Sequence, residues 1–137
     1  MMMSNSLQPS QAVPVVEASD YSALVDVAYE ALVKDFDVAT ELIDRLERSI
    51  VVPNGQLGRD VVRLGSTVTY DVEGACRRTI TLVYPAKLDA EGARISVLAP
   101  IGVALLGLRP GQRGQWFARD GQANELTVIH VINEHNA

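Results

Sequence analysis

The histidines and the cysteine are the side chains of this sequence that most readily bind a metal ion or act as nucleophiles. His130 and His135 stand five residues apart near the C-terminal end, and Cys76 is distant from both. A structural zinc site needs further ligands at a characteristic spacing, and none accompanies this set. We therefore expect no metal and no catalytic residue, although spacing alone does not exclude a Ser-His-acid arrangement assembled by folding.

The stretch of this sequence most similar to a phosphate-binding loop contains three glycines, Gly107, Gly111 and Gly114. The run lacks the lysine and the serine or threonine of a P-loop, and no dinucleotide fingerprint precedes a helix. Turns explain these glycines, so the sequence predicts no cofactor.

The 137-residue chain has a formal net charge of −5, and the negative excess lies in its N-terminal half. Residues 1–63 contain ten acidic and five basic side chains, whereas residues 64–137 contain seven of each. Nucleic-acid binding needs a basic face that displaces counterions from phosphates. We expect no direct sequence-specific nucleic-acid binding, and Arg77, Arg78 and Arg94 leave room only for a local basic patch.

Cysteine content and hydropathy bear on the cellular compartment. A single cysteine excludes an intramolecular disulfide, and the first cationic side chain is Lys34, which is late for a signal peptide. No apolar run approaches the length that spans a bilayer. These features favour a cytoplasmic protein without membrane contact.

Two amphipathic segments predict a short antiparallel helical hairpin over residues 18–51, after a flexible tail at residues 1–17. The apolar stripes contain Tyr21, Leu24, Val25, Ala28 and Leu32, then Ala39, Leu42, Ile43, Leu46 and Ile50. Ser19 or Asp20 is the expected N-cap of the first helix and Asp37 that of the second. The solvent face of the second helix is predicted to carry Glu41, Asp44, Arg45, Glu47 and Arg48.

Beyond a predicted linker at residues 52–63, the apolar period changes from that of a helix to that of a strand. Residues 67–72 and 78–84 predict a β-hairpin, and residues 95–98 predict a further strand. Pro100 favours a short helix that Gly107 ends, and strands at 115–118 and 125–131 follow. The sum is an α+β fold with an antiparallel sheet and one short helix.

Residues 82–86, 95–102 and 104–108, in that order, carry a family resemblance. They read Leu-Val-Tyr-Pro-Ala, Ile-Ser-Val-Leu-Ala-Pro-Ile-Gly and Ala-Leu-Leu-Gly-Leu. The chain resembles the regulators of nucleoside diphosphate kinase (Rnk), a short branch of the bacterial Gre transcription elongation factor family. The resemblance covers roughly residues 64–131 and implies that residues 64–137 form the FKBP-like Gre C-terminal domain.

The resemblance also implies a partner, RNA polymerase, bound at the rim of its secondary channel. The matching polymerase-docking loop contains Ser96, Leu98, Ala99, Pro100 and Ile101. Cleavage factors can have polar or acidic residues where this chain has Leu98 and Ala99, which favours the Rnk-like branch. Such a protein is expected to compete with Gre-type factors and, by its family name, to have a link to nucleoside diphosphate kinase regulation.

The hairpin tip, Asp35, Phe36 and Asp37, is where Gre cleavage factors carry acidic residues that hold a catalytic magnesium ion. Helices of about 12–16 residues extend only about 18–24 Å at 1.5 Å per residue. This hairpin is therefore expected not to reach the polymerase active site or to stimulate transcript cleavage, and its carboxylates are expected to cap a helix and face solvent.

Two alternative functions remain at this stage. Fold analogy allows a weak peptidyl-prolyl isomerase, although aromatic residues make up only 5% of the chain and such sites are rich in them. An apolar helix face or a free sheet edge would instead make the chain a self-associating interaction module. The oligomeric state stays open.

Overall fold

Three helices and seven strands follow one another along the described chain. The structure is a computed structural model that describes residues 12–73, 77–85, 93–117 and 121–133. The helices are α1 (Ala18–Ala31), α2 (Phe36–Arg48) and α3 (Pro100–Leu105). The strands are β1 (Val15–Glu17), β2 (Ile50–Val52), β3 (Thr67–Val72), β4 (Arg77–Val83), β5 (Arg94–Ser96), β6 (Arg113–Phe117) and β7 (Ala123–Ile132).

Five of these strands form one sheet in the order β5-β4-β3-β7-β6. The pairs β3–β4 and β6–β7 are antiparallel hairpins, which confirms their sequence patterns. The pair β4–β5 is parallel, with Leu82 beside Ile95, so the expectation of a wholly antiparallel sheet is wrong and the sheet is mixed. Parallel neighbours need a connection longer than a tight turn, and residues 84–93 lie between these strands. The α+β class is confirmed.

One apolar cluster joins the helical hairpin to the sheet. In β3 the side chains of Val68 and Tyr70 are buried, as the alternating pattern predicts. The same cluster contains side chains from α1, α2, α3 and β7, namely Leu24, Leu42, Leu105 and Leu126. The hairpin and the sheet therefore share a core.

Helix α3 lies unusually close to the end of β5. Pro100 is at its first position, and Gly107 follows it with a φ of 82°, a conformation that glycine adopts without strain. Gly102 is buried against Ser96, and a β-carbon there would lie closer to the Ser96 carbonyl oxygen than real β-carbons come. Glycine at position 102 thus permits this close packing, while the predicted start and end of the helix are confirmed.

The base of the hairpin is closed by strand pairing. β1 pairs in parallel with β2, and the Val15 amide donates to the Gly107 carbonyl at 3.2 Å. Val16 and Glu17 are buried. The expected flexible tail is therefore wrong for residues 12–17, because this strand fills a gap beside the end of α3; residues 1–11 lie outside the described part.

The predicted linker has two different halves. Its first half contains exposed turn residues such as Pro53 and Gly55. Its second half contains Val61 and Val62, which are buried, and Val62 exchanges backbone hydrogen bonds with Leu108 and Gly107 at 2.9 Å. The second half of this segment therefore packs with the core. A domain boundary at residues 52–63 stays a prediction.

The helix caps differ from those predicted. Helix α1 begins one residue before Ser19, and its N-cap residue, Glu17, makes no side-chain capping bond. In α2 the cap is Asp35, whose carboxylate accepts from the Val38 amide at 3.4 Å, while Asp37 lies in the first turn. Each helix starts earlier than the apolar period indicates, because a first turn need not be buried.

Candidate functional site

The predicted docking loop is a tightly hydrogen-bonded turn between β5 and α3. The Ser96 hydroxyl accepts from the Leu98 amide, and the Ser96 carbonyl accepts from the Ala99 amide, both at 2.9 Å. Ala99 has extended dihedral angles and precedes Pro100, which starts α3. The structure therefore brings the five predicted residues together in one turn that needs little further ordering on binding.

The side chains of this turn are half-buried rather than fully exposed. Leu98 and Ile101 pack against the core cluster, whereas Val97, which immediately precedes Leu98, is fully buried. Ala99 and Pro100 are also of intermediate exposure. The turn thus presents a low apolar ridge, and its shape depends on the core beneath it.

The hairpin tip lies at the other end of the same surface. Asp35, Phe36 and Asp37 are all exposed, and Phe36 keeps 65% of its accessible area. The neighbouring Val33 is 90% exposed. The tip is therefore partly apolar, and one of its two carboxylates already caps α2.

A groove separates the hairpin tip from the start of α3 and the edge strand β6. We call it the tip groove; it has a volume of about 800 Å³. It is lined by Lys34, Asp35, Phe36, Asp37, Val38, Thr40, Glu41, Pro100, Trp116 and Phe117. Of the docking loop, Pro100 lines this groove together with the three residues of the hairpin tip, so the two predicted sites adjoin there.

The hairpin wall of the tip groove is acidic. Burial raises the pKa of Glu41 above its ordinary value, and the nearby carboxylates of Asp37, Asp35 and Asp44 raise it further. Asp44 also forms an ion pair with Arg48 one turn along α2, at 3.1 Å. The wall therefore concentrates negative charge beside the aromatic side chains.

Arg45 fixes this wall to the C-terminal part of the chain. Its guanidinium donates to the carbonyls of Leu106 and Ala104 at 2.9 and 3.0 Å, at the end of α3. Burial, with a smaller effect of Arg48, lowers the pKa of Arg45 to about 10. The predicted placement of Arg45 on the solvent face is wrong, because its side chain is buried. Arg45 follows Leu42 by three residues and therefore lies at the margin of the apolar stripe. That spacing was the signal available in the sequence.

A second polar cluster supports the base of the hairpin. Glu17 accepts from the Gly55 amide at 2.7 Å and from Arg63 at 2.9 Å, and Arg63 also pairs with Asp20 at 3.0 Å. Burial raises the pKa of Tyr84 beside this cluster, and Asp20 contributes to the rise. These contacts join three segments, and within the described residues Asp20 Oδ2 is buried without a hydrogen-bond partner, although it lies 3.0 Å from the Arg63 guanidinium.

The residues first considered for metal binding do not converge in the part of the structure that is described. His130 lies on β7 opposite Thr69, while Cys76 and His135 fall outside the described ranges. Over those ranges, no three potential ligands among His, Cys, Asp and Glu cluster together.

Arg77 of the possible basic patch forms an ion pair with Asp71 at 2.8 Å. No described helix is long and apolar enough to cross a membrane.

Comparison with known proteins gives consistent matches. A family model described as "Transcription elongation factor, GreA/GreB, C-term" matches residues 57–133. The chain is 36% identical over 95 residues to the regulator of nucleoside diphosphate kinase of Escherichia coli K12, covering 69% of this chain and 70% of that protein. It is also 36% identical over 94 residues to the elongation factor GreA of Hyphomonas neptunium, covering 68% of this chain and 59% of that protein.

A solved structure resembles the fold over most of its length. It is described as a prokaryotic transcription elongation factor GreA/GreB from Nitrosomonas europaea, with a TM-score of 0.69 and 32% sequence identity. The match covers 87% of this chain and 98% of that one. The similarity therefore includes the helical hairpin as well as the sheet.

Proposed function

Because the chain belongs to the GreA/GreB family of transcription factors and is Rnk-like rather than an enzyme, we propose that it docks on RNA polymerase near the secondary channel. There it competes with longer Gre-type factors without stimulating transcript cleavage, and it acts in the cytoplasm. The name of the E. coli relative suggests a further link to nucleoside diphosphate kinase regulation, and the enzymatic alternative of a prolyl isomerase is not retained.

The observation that carries the docking proposal is the turn from Ser96 to Ile101. It lies inside the matched family region, and its backbone is held by internal hydrogen bonds. A preformed apolar ridge binds a partner surface with a small entropic penalty, since few side chains must be ordered. The proposed contact residues are Ser96, Leu98, Ala99, Pro100 and Ile101.

The proposed absence of cleavage activity rests on the hairpin. Helices α1 and α2 contain 14 and 13 residues, so each extends about 20 Å at 1.5 Å per residue. At the tip, Phe36 is exposed between the two aspartates, and Asp35 accepts from a backbone amide. A short tip of this kind is suited to steric occupation of a channel entrance and not to delivery of a metal ion.

Competition binding tests the docking proposal. Labelled protein is titrated with purified core RNA polymerase of the same organism, with that organism's GreA as competitor. Pro100→Asp is the test variant, because an aspartate is well tolerated in the first turn of a helix and should leave α3 folded. Pro53→Asp, at an exposed position in another loop, is the matched control.

We expect competitive binding for the wild type and Pro53→Asp, and its loss in Pro100→Asp with unchanged circular dichroism. Equal binding by all three proteins would place the contact elsewhere, and no binding at micromolar concentration would leave only a shared fold. In a transcript-cleavage assay with stalled complexes, cleavage by the wild type that disappears in Asp35→Ala/Asp37→Ala would refute the proposed lack of cleavage activity.

A further inference from the structure

The tip groove has aromatic side chains on both of its walls. Phe36 projects from the hairpin, and Phe117 from β6 is 56% exposed. Trp116, the only tryptophan of the chain, also lines the groove and is half-buried against the core. Exposed aromatic side chains that border a concave surface are typical of sites that bind another protein.

The charge on the hairpin wall is the second observation. Asp35, Asp37 and Glu41 line the groove against one lysine, Lys34, among its lining residues. The raised pKa of Glu41 reflects burial and repulsion from its acidic neighbours, which a bound cation would relieve. An anionic ligand such as a phosphate would be repelled by this wall.

The two walls are held at a fixed separation. Arg45 on α2 bonds to carbonyls at the end of α3, and α3 begins with Pro100 on the opposite wall. Glu41 is one turn before Arg45 on the same helix. The groove is therefore preformed, and binding does not require free energy to close it around the occupant.

We propose that the tip groove binds a cationic amphipathic segment of a partner protein. Its apolar side chains pack on Phe36, Trp116 and Phe117, while its lysine or arginine side chains lie against Asp37 and Glu41. A cation close to an aromatic face and a carboxylate is favoured by both groups. The proposal goes beyond polymerase docking, because it assigns the groove that adjoins the docking loop at Pro100 and the chemistry of its ligand.

Charge complementarity favours this occupant over a second copy of the chain. The chain has a net charge of −5, and its N-terminal half, which forms the acidic wall, holds the whole excess. A second copy would bring mainly like charge to the groove, whereas a cationic helix brings the opposite charge. Helix-in-groove recognition also matches the groove, since its apolar lining comes from two walls, the start of α2 and the end of β6.

Fluorescence of Trp116 provides a direct test with the full chain. The probe is a synthetic amphipathic peptide of leucine and lysine, about three to four helical turns long. A peptide of the same pattern with glutamate in place of lysine is its control. We expect the lysine peptide to shift the Trp116 emission in a saturable, salt-sensitive way, and the glutamate peptide to leave it unchanged.

Two variants separate groove binding from general attraction to an acidic protein. Asp37→Asn/Glu41→Gln should weaken binding roughly tenfold, because it removes two partly exposed charge contacts. Asp26→Asn/Glu30→Gln makes the same change in net charge at exposed positions of α1 outside the groove and should change affinity less than about twofold. Phe36→Ala, at an exposed position, should also weaken binding.

Equal weakening by the two charge variants, or no response to Phe36→Ala, would overturn the proposal. So would saturable binding of the glutamate peptide. A Trp116 emission that changes with protein concentration in the absence of peptide would show that a second copy fills the groove. Each of these results is independent of polymerase binding, so failure here and failure of the docking proposal are distinguishable.

Discussion

Replacing Arg45 with methionine is expected to loosen the contact between the helical hairpin and α3. Methionine fills a similar elongated volume but cannot donate a hydrogen bond. The carbonyls of Leu106 and Ala104, which Arg45 contacts at 2.9 and 3.0 Å, would lose this donor in a buried environment. Carbonyls at the end of a helix carry partial negative charge, which the arginine also compensates.

The size of the effect follows from two opposing contributions. Hydrogen bonds from a charged donor are each worth about 1.5–3 kcal/mol when one partner is removed, so two give about 3–6 kcal/mol. Against this, the lowering of the pKa from 12.5 to about 10 corresponds to a burial penalty of about 3 kcal/mol, which methionine relieves. The difference is about 0–3 kcal/mol, so we expect a net loss of about 1.5 kcal/mol and a Tm about 5 °C lower for a chain of this size.

Urea and thermal denaturation followed by circular dichroism measure this difference. The matched control is Arg48→Met, which makes the same chemical change one turn along the same helix. Arg48 is exposed and, among the described residues, forms its ion pair with Asp44 at 3.1 Å, so its replacement should change the free energy of unfolding by less than about 0.5 kcal/mol. If Arg45→Met were as stable as Arg48→Met, the two carbonyls would not depend on Arg45 and the reasoning would be refuted.

Two further predictions concern α3 and the acidic wall. Gly102→Ala should lower the free energy of unfolding by about 3 kcal/mol or more, because the new methyl group would collide with the Ser96 carbonyl and separate α3 from β5. Glu41→Gln should raise it by about 0.5 kcal/mol at pH 7, since the folded state disfavours the ionised carboxylate. Denaturant titrations at several pH values measure both.

Each of these predictions has its own control. Gly58→Ala should be nearly neutral, because a β-carbon there meets side-chain atoms only at 3.4 and 3.5 Å; equal destabilisation of the two alanine variants would contradict the steric argument. For Glu41, the folded pKa is above 4.5, so the destabilising charge is fully present above that folded value and absent well below 4.5. A benefit of Glu41→Gln that persists at pH 3 would therefore have another cause.

Local patterns were sufficient to predict most of the elements. The alternation in residues 67–72 predicted β3 with its bounds, and Pro100 and Gly107 marked α3 because their backbone preferences act within one turn. The parallel pairing of β5 with β4 was missed, since it depends on which sheet edge is free after the chain has folded. The strand at residues 15–17 was missed because three residues are too few for a period to be recognised.

The candidate site was predictable only in part. The five docking-loop residues were identified by resemblance, and the structure places them in one turn, but their contact with polymerase stays a prediction. The tip groove depends on the angle between the hairpin and the sheet, and no local spacing encodes that angle. Arg45 could have been recognised by its position three residues after Leu42, although an arginine at such a position is more often exposed.

The hydrogen bond from Val15 to Gly107 bears on the order in which the protein is assembled in the cell. Synthesis proceeds from the N-terminal end at roughly 5–20 residues per second, so several seconds separate the synthesis of Val15 from that of Gly107. Until then the two helices, although adjacent in sequence, have neither α3 nor the sheet to cover their apolar stripes. β1 therefore gains its bond to the end of α3 late in synthesis, although it precedes both helices in the chain, and during that interval the uncovered apolar stripes are accessible to chaperones.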